Sequence, residues 1–431
     1  MSAPPALPAI SDDAVLLHIG VHKTGTTALQ AALAARRGEL AEHHVLYPGP
    51  QEAAHWPALA VTGLAGKPIS HWDDLVSTVQ AWPDRVMISS EGFCVADDSQ
   101  AEKIVRDLAG PTDRPVHVLM GMRPLGELLA SSWQQSLKSG ITRSFPRWLE
   151  TVLAHPEDDT LAFWARNTFG ESVRRWSSLV SPERMVVVVS DVRQPTVLGE
   201  TVEQLLGLPA GTVVDALPTE RTNRSFTAPE AELVRRVNEA LDGRVDQRVR
   251  RERVQYAAVL EMLRSAPDAG SERVAAPQSA QEQVAELGAR YADEVRASGV
   301  SVVGDLDRLG SASGPPGHVE RPTQIPMDAA VAAVVGAALG ADVYEAEASG
   351  RPLPPAEKRR RGSGSPRARS LDPSGASGDS GSTPAPVGSV PGSASGPDSR
   401  GEPPRPGRPG MVRRLRSSAG AAVRAWRQTS G

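Results

Sequence analysis

Residues 15–30, Val-Leu-Leu-His-Ile-Gly-Val-His-Lys-Thr-Gly-Thr-Thr-Ala-Leu-Gln, constrain the fold more than any other stretch of the chain. The apolar run Val15 to Ile19 has the length and composition of a buried strand. Gly20 and Gly25 bracket a tight turn, and Ala28 to Leu33 opens a helical pattern. A strand–turn–helix unit aims backbone N–H groups and the positive end of the helix dipole at one spot, and that spot suits phosphate. Lys23 adds a full positive charge there, and Thr24, Thr26 and Thr27 add hydroxyl donors. His22, beside Lys23, reads as a loop residue pointing toward the same ligand.

The residue order departs from a Walker A loop, in which lysine follows the second glycine. Gly20 and Gly25 keep that separation, but Thr26 follows Gly25 and the lysine stands two residues earlier, inside the loop.

Two further segments end in chemistry. Residues 115–122 form a strand-like run followed by Arg123, with Pro124 well placed to start a helix. Leu125, Leu128, Leu129 and Trp133 share one face of that helix, and Ser131 lies about two turns into it. The planar fork of an arginine suits a phosphate because it donates two parallel hydrogen bonds. A solvated strand-end arginine and a surface serine would give the same pattern. Residues 85–94 read as a strand ending in Ser89, Ser90 and Glu91. In an open parallel sheet, ligands sit beyond the carboxyl ends of the strands. Loop 20–27, Glu91 and Arg123 are therefore expected on one edge. Glu91 has the chemistry of a general base, and equally that of a helix cap or ion-pair partner. His55, in Ala-Ala-His-Trp-Pro, falls in a loop-like region and competes for the base role.

This set resembles the sulfotransferases that use 3′-phosphoadenosine 5′-phosphosulfate (PAPS), in particular their bacterial, carbohydrate-type branch. Those enzymes have a comparable 5′-phosphosulfate loop, a strand-ending arginine with a serine eight residues later, and a glutamate base. The resemblance runs from about Val15 to Leu309, is strongest over 15–135 and is thin between 240 and 280. It implies that His22, Lys23, Thr24, Gly25, Thr26 and Thr27 surround the 5′ end of PAPS as co-substrate. It implies too that Arg123 and Ser131 hold the 3′-phosphate and that Lys23 steadies the leaving oxygen. Glu91 or His55 would take the proton of a hydroxyl acceptor, a carbohydrate or glycolipid. Asn223, in Arg-Thr-Asn-Arg-Ser over 221–225, would close over the nucleotide, unless that segment is a plain basic loop. Sulfuryl transfer moves less charge than phosphoryl transfer, so a metal is less needed, and no cysteine cluster or D-x-D motif stands near these strands. The competing classes are a P-loop kinase or NTPase, and a non-catalytic nucleotide-binding scaffold that acts through its tail.

Length and composition allow one large α/β domain plus extras: 431 residues, net charge −4. That charge argues against a nucleic-acid binder. Cys94 is the single cysteine, which fits a reducing, cytoplasmic setting. The first residues lack a basic segment and an apolar core, so a secretory signal is not expected. The Val-rich run 184–190 reads as another buried strand, residues 196–206 as the next helix, Thr227 as a helix cap and 281–297 as a further helix. Alternation of strands and helices predicts an α/β three-layer sandwich with a mostly parallel central sheet, P-loop NTPase-like, over residues 14–310. Residues 1–13 are expected to be flexible. The Pro/Gly/Ser/Arg-rich stretch within 311–410 is expected to be mostly disordered, since it cannot bury enough apolar surface to offset its ordering entropy. A short helix could form within 327–343. Residues 411–431 carry several arginines among Val412, Leu415, Val423 and Trp426, and read as a frayed basic tail or as an amphipathic helix that rests on an anionic membrane or a protein.

Overall fold

Strand β1 (Val15–His18) is buried along its whole length because both of its faces are covered. Val15 and Leu17 point into one apolar cluster with Ile88, Val118, Trp72 and Trp176. Leu16 points into the other, with Met87, Leu119, Leu29 and Leu33. Continuous apolar strands of this kind are the mark of a parallel sheet sandwiched between helices. The structure, a computed structural model, describes residues 7–49, 55–218, 224–264, 272–312, 314 and 322–340. Arg221, Asn223, and the segments 349–410 and 411–431 lie outside the described residues.

The other strands are β2 (Val45–Leu46), β3 (Arg85–Ser89), β4 (Val116–Met122), β5 (Met185–Val189) and β6 (Ser301–Val303). They form one six-stranded sheet in the order β2-β3-β1-β4-β5-β6, and every pairing is parallel. The short edge strands β2 and β6 have no counterpart in the expected set; two or three residues are too few to leave a periodic signal. The chain leaves β1 for one edge, returns through β3, and only then crosses to β4. The order therefore reverses at β1, and a crevice opens at its carboxyl end.

Helices α1 (Thr26–Ala35) and α2 (Arg37–Glu42) follow β1. Next come α3 (His55–Val61), α4 (Ser70–Gln80) and α5 (Asp98–Ala109). After β4 the chain forms α6 (Leu125–Lys138), α7 (Phe145–Ala154), α8 (Trp164–Asn167) and α9 (Phe169–Val180). Helix α10 (Val197–Leu206) follows β5. Helices α1, α2 and α10 cover one face of the sheet, while α4, α5, α6 and α9 cover the other. Leu, Val and Trp recur on the inward side of each, which buries an apolar stripe at helical spacing. The aromatic residues of 159–179 belong to this core: Phe163, Trp164, Phe169 and Trp176 are all buried.

Helix α11 (Ala228–Leu241) starts at a capping box in which Thr227 and Glu230 each bond the other's backbone N–H. Beyond it lie α12 (Gln247–Arg250), a single π-helical stretch over 251–258, α13 (Val259–Arg264), α14 (Gln278–Ser298) and α15 (Met327–Leu339). Among the described residues, no helix is long and apolar enough to cross a membrane.

Candidate functional site

The β1–α1 loop is built around one carbonyl. Thr24 and Thr26 are buried, and both hydroxyls donate to the carbonyl oxygen of Val21, at 2.7 and 3.3 Å. These hydroxyls brace the loop from inside rather than facing outward as donors. Of the three threonines only Thr27 is exposed. Gly25 takes a left-handed conformation at the start of α1, whose first turn has no capping side chain and no acid. Its leading N–H groups and dipole end are thus open to an anion. Lys23 is itself left-handed, with φ 69°. That conformation costs a non-glycine residue roughly 1–2 kcal/mol, and such strain gathers at ligand sites.

Close backbone approaches hold the loop in place. A side-chain carbon on Gly20 would lie 3.0 Å from both Cα and Cβ of Glu91, so glycine lets β3's end lie against the loop. A carbon on Gly121, near the end of β4, would lie 2.6 Å from the Thr24 hydroxyl. The parallel register of β1 with β3 and β4 brings these three strand ends together, as the sequence pattern anticipates.

Glu91 stands where the sequence places it, just past β3, with little of its side chain exposed. One carboxylate oxygen lies 3.8 Å from Nδ1 of His22; the other lies 3.7 Å from Nε2 of His55 and accepts a 3.3 Å hydrogen bond from Gln30. Gln30 also donates to the Ser89 carbonyl, which fixes its amide between β3 and α1. His55 is the first residue of α3 rather than part of a loop. Pro57 accounts for this, since a proline in the first helical turn gives up an N–H that has no partner there anyway. Nδ1 of His55 lies 3.0 Å from the Ser90 hydroxyl, which in turn accepts from the N–H of Gly92. His22, His55, Gln30 and Glu91 thus form one cluster.

Arg123 sits on the same edge, and its Nη1 donates to the Lys23 carbonyl at 3.2 Å. Its Nε is taken by Glu127 at 2.5 Å, and Glu127 also meets Arg308, which pairs with Asp191. Asp191 is held down to about 2, first by hydrogen bonds from Arg193 and then by the nearby guanidinium of Arg308. The expected phosphate-binding arginine is therefore one end of a charge ladder that ties β4 to the end of β5. Ser131 lies on α6 with its hydroxyl turned back onto the Leu128 carbonyl. The next residue, Ser132, lines a cleft together with His22 and Lys23.

Burial sets the electrostatics. It pushes the Lys23 ammonium below the ordinary lysine value; Glu91 pulls it up and Arg123 pushes it down. The ammonium keeps contact with solvent at the cleft mouth, though protein atoms crowd it on the other sides. His22 is held well below the imidazole range by burial first, then by Arg166, Lys23 and His55. Lys138, at the end of α6, is lowered to about 8 by burial and by the charge of Lys23. The site is thus a concentration of positive charge with Glu91 as its acid.

Gln30 and Gly121 lie inside segments the sequence singles out, and Lys138 and Arg166 outside them, but the part each plays becomes visible only through contacts 59 or more positions away in the chain. Among the described residues, no group of three or more His, Cys, Asp and Glu side chains is placed to hold a metal ion. A roomier cavity, lined by Glu157, Arg174, Arg184, Arg290 and Glu294, lies at the opposite, amino end of β5, away from all of these residues. Compared with protein-family models, with curated proteins and with solved structures, the chain matches none.

Proposed function

We propose that the chain is a PAPS-dependent sulfotransferase that transfers a sulfuryl group to a hydroxyl acceptor of the carbohydrate or glycolipid kind. One observation carries this reading. A lysine inside the β1–α1 loop, an acid just past β3 and an arginine at the end of β4 converge at the switch point of a parallel sheet. Lys23 and the uncapped first turn of α1 supply positive charge for the 5′-phosphosulfate. Arg123 keeps its Nη2 free of partners among the described residues and can meet the 3′-phosphate from the β4 side.

Glu91 acts as base: it accepts the acceptor's hydroxyl proton as the acceptor oxygen bonds to sulfur. The bond between sulfur and the bridging phosphate oxygen breaks, and adenosine 3′,5′-bisphosphate leaves. Lys23 meets the charge that grows on that bridging oxygen. Gln30 and His55 keep the Glu91 carboxylate turned toward the loop. The setting that goes with this chemistry is the cytoplasm, where PAPS is made in bacteria.

The test is a thermal-shift series with adenosine 3′,5′-bisphosphate, ATP, ADP and NAD. A ligand that binds only the folded state raises the midpoint by mass action, by about 2.7 kcal/mol of stability at a hundredfold excess over Kd. The bisphosphate is expected to raise the midpoint most. A larger shift with ATP would replace this reading with that of a kinase or NTPase.

A further inference from the structure

The cleft that begins at Lys23 runs between α6, α7 and the segment 161–167. Three cationic side chains line it, Lys23, Arg143 and Arg166, beside a neutral His22, and among the described residues no aspartate or glutamate does. Trp148 and Phe163 form an apolar wall beside them. Among the described residues, neither Arg143 nor Arg166 has a carboxylate within 4.0 Å, and neither guanidinium donates a hydrogen bond. Arg166 is half-buried on α8, and the Glu91 carboxylate acts on it only from beyond ion-pair distance. Other buried or half-buried arginines are paired with acids, Arg235 with Glu232, Arg224 with Glu230 and Arg175 with Asp98, and Arg114 is held by backbone carbonyls; among the described residues Arg250 shares with Arg166 the lack of a carboxylate within 4.0 Å. In the cavity at the opposite edge, Arg290 is paired with both Glu157 and Glu294. A guanidinium partly screened from water and lacking an anion gains from a ligand oxyanion, which it can meet with two parallel hydrogen bonds.

We propose that Arg166, with Arg143 at the rim, forms an anion subsite for the acceptor, so that the acceptor is a hydroxyl compound bearing an acidic oxyanion group. The assignment to the acceptor rests on the sulfotransferase reading; the subsite itself rests on the cleft. The planar fork of Arg166 receives the acid group, and the apolar wall receives the body that joins it to the hydroxyl. Lys23 lies at the junction, where it feels the charge of Glu91 from beyond ion-pair distance.

The experiment measures binding of 4-hydroxybenzoate, 4-hydroxybenzenesulfonate and the neutral 4-hydroxybenzamide to the full chain by calorimetry. It is done with and without adenosine 3′,5′-bisphosphate. The two acids are expected to bind at least tenfold tighter than the amide. In Arg166→Met that preference should fall to near unity, and in Arg166→Lys part of it should remain. Affinity for the bisphosphate should stay within twofold in both variants. No preference for the acids in the unaltered chain overturns the subsite, whatever the variants do. So does a preference that survives Arg166→Met. Loss of bisphosphate affinity in Arg166→Met would assign the arginine to the nucleotide instead and overturn the proposal. If the chain binds no bisphosphate but keeps an Arg166-dependent preference for acids, the anion subsite stands and the sulfotransferase reading falls.

Discussion

Glu91 is held from three sides, by Gln30, His22 and His55, and among the described residues it has no guanidinium or ammonium at ion-pair distance. A carboxylate so placed can take a proton without first breaking a strong salt bridge. Glu91→Gln is expected to lower kcat by roughly 10²–10⁴-fold, the usual range for a lost general base. It should leave affinity for adenosine 3′,5′-bisphosphate nearly unchanged, since the amide keeps the shape and the bond with Gln30. A steady-state assay with a fixed acceptor, alongside calorimetry, separates the two effects. Arg123→Ala should act the other way. It removes a cation, releases the Lys23 carbonyl and leaves Glu127 with one partner fewer. Bisphosphate affinity is expected to fall by about tenfold or more, as for truncation of one side of a desolvated charge pair. An unchanged Kd would remove Arg123 from the nucleotide site. Lys23, Glu91 and Arg123 were legible in the sequence because each ends or follows an apolar run. Gln30 and Arg166 were not, because their significance lies in partners from distant parts of the chain.

At the level of elements, the loop depends on the fit of small residues at strand ends. Gly121 in β4 leaves just enough room for the inward-turned Thr24 hydroxyl. Gly121→Ala is expected to cost roughly 1–3 kcal/mol in urea unfolding, the usual penalty for overpacking. Combining it with Thr24→Ala should recover part of that loss, because the two changes meet in one contact. Additive costs in such a double-mutant cycle would show that the contact is not what shapes the loop. Strands β1, β3, β4 and β5 and helices α1, α6, α10, α11 and α14 could be read from periodicity and caps, down to the Thr227 box, whereas α4, α5 and α7 were not. The start of α3 at His55 could not, and β2 and β6 exist through their neighbours rather than through any pattern of their own.

For the whole molecule, acid is the telling perturbation. His18 is fully buried at the end of β1, with Nδ1 2.8 Å from the Ser89 hydroxyl, and burial lowers it to about 4. His117 is lowered to about 4 as well, by burial and by Arg184. Between pH 6.5 and 4 the unfolded chain binds these protons and the folded chain does not, so stability falls as pH falls through that window. For His18 alone the loss between pH 7 and pH 5 is about 2 kcal/mol. Urea denaturation at the two pH values measures it, and His18→Asn should remove that part of the difference. The parallel α/β architecture was legible from the alternation of apolar runs and amphipathic segments.

The placing of β1 has a consequence for how the molecule is made. Val15 pairs with Val86 on one side and with Val116 on the other, so the earliest strand of this sheet is flanked by two that are synthesised much later. Contacts so remote along the polypeptide slow folding, because a long loop must close before either reward arrives. The β1–α1 loop at its end can take its final shape only after translation has passed Met122. Until then its lysine and threonines belong to an exposed nascent segment with nothing yet to grip.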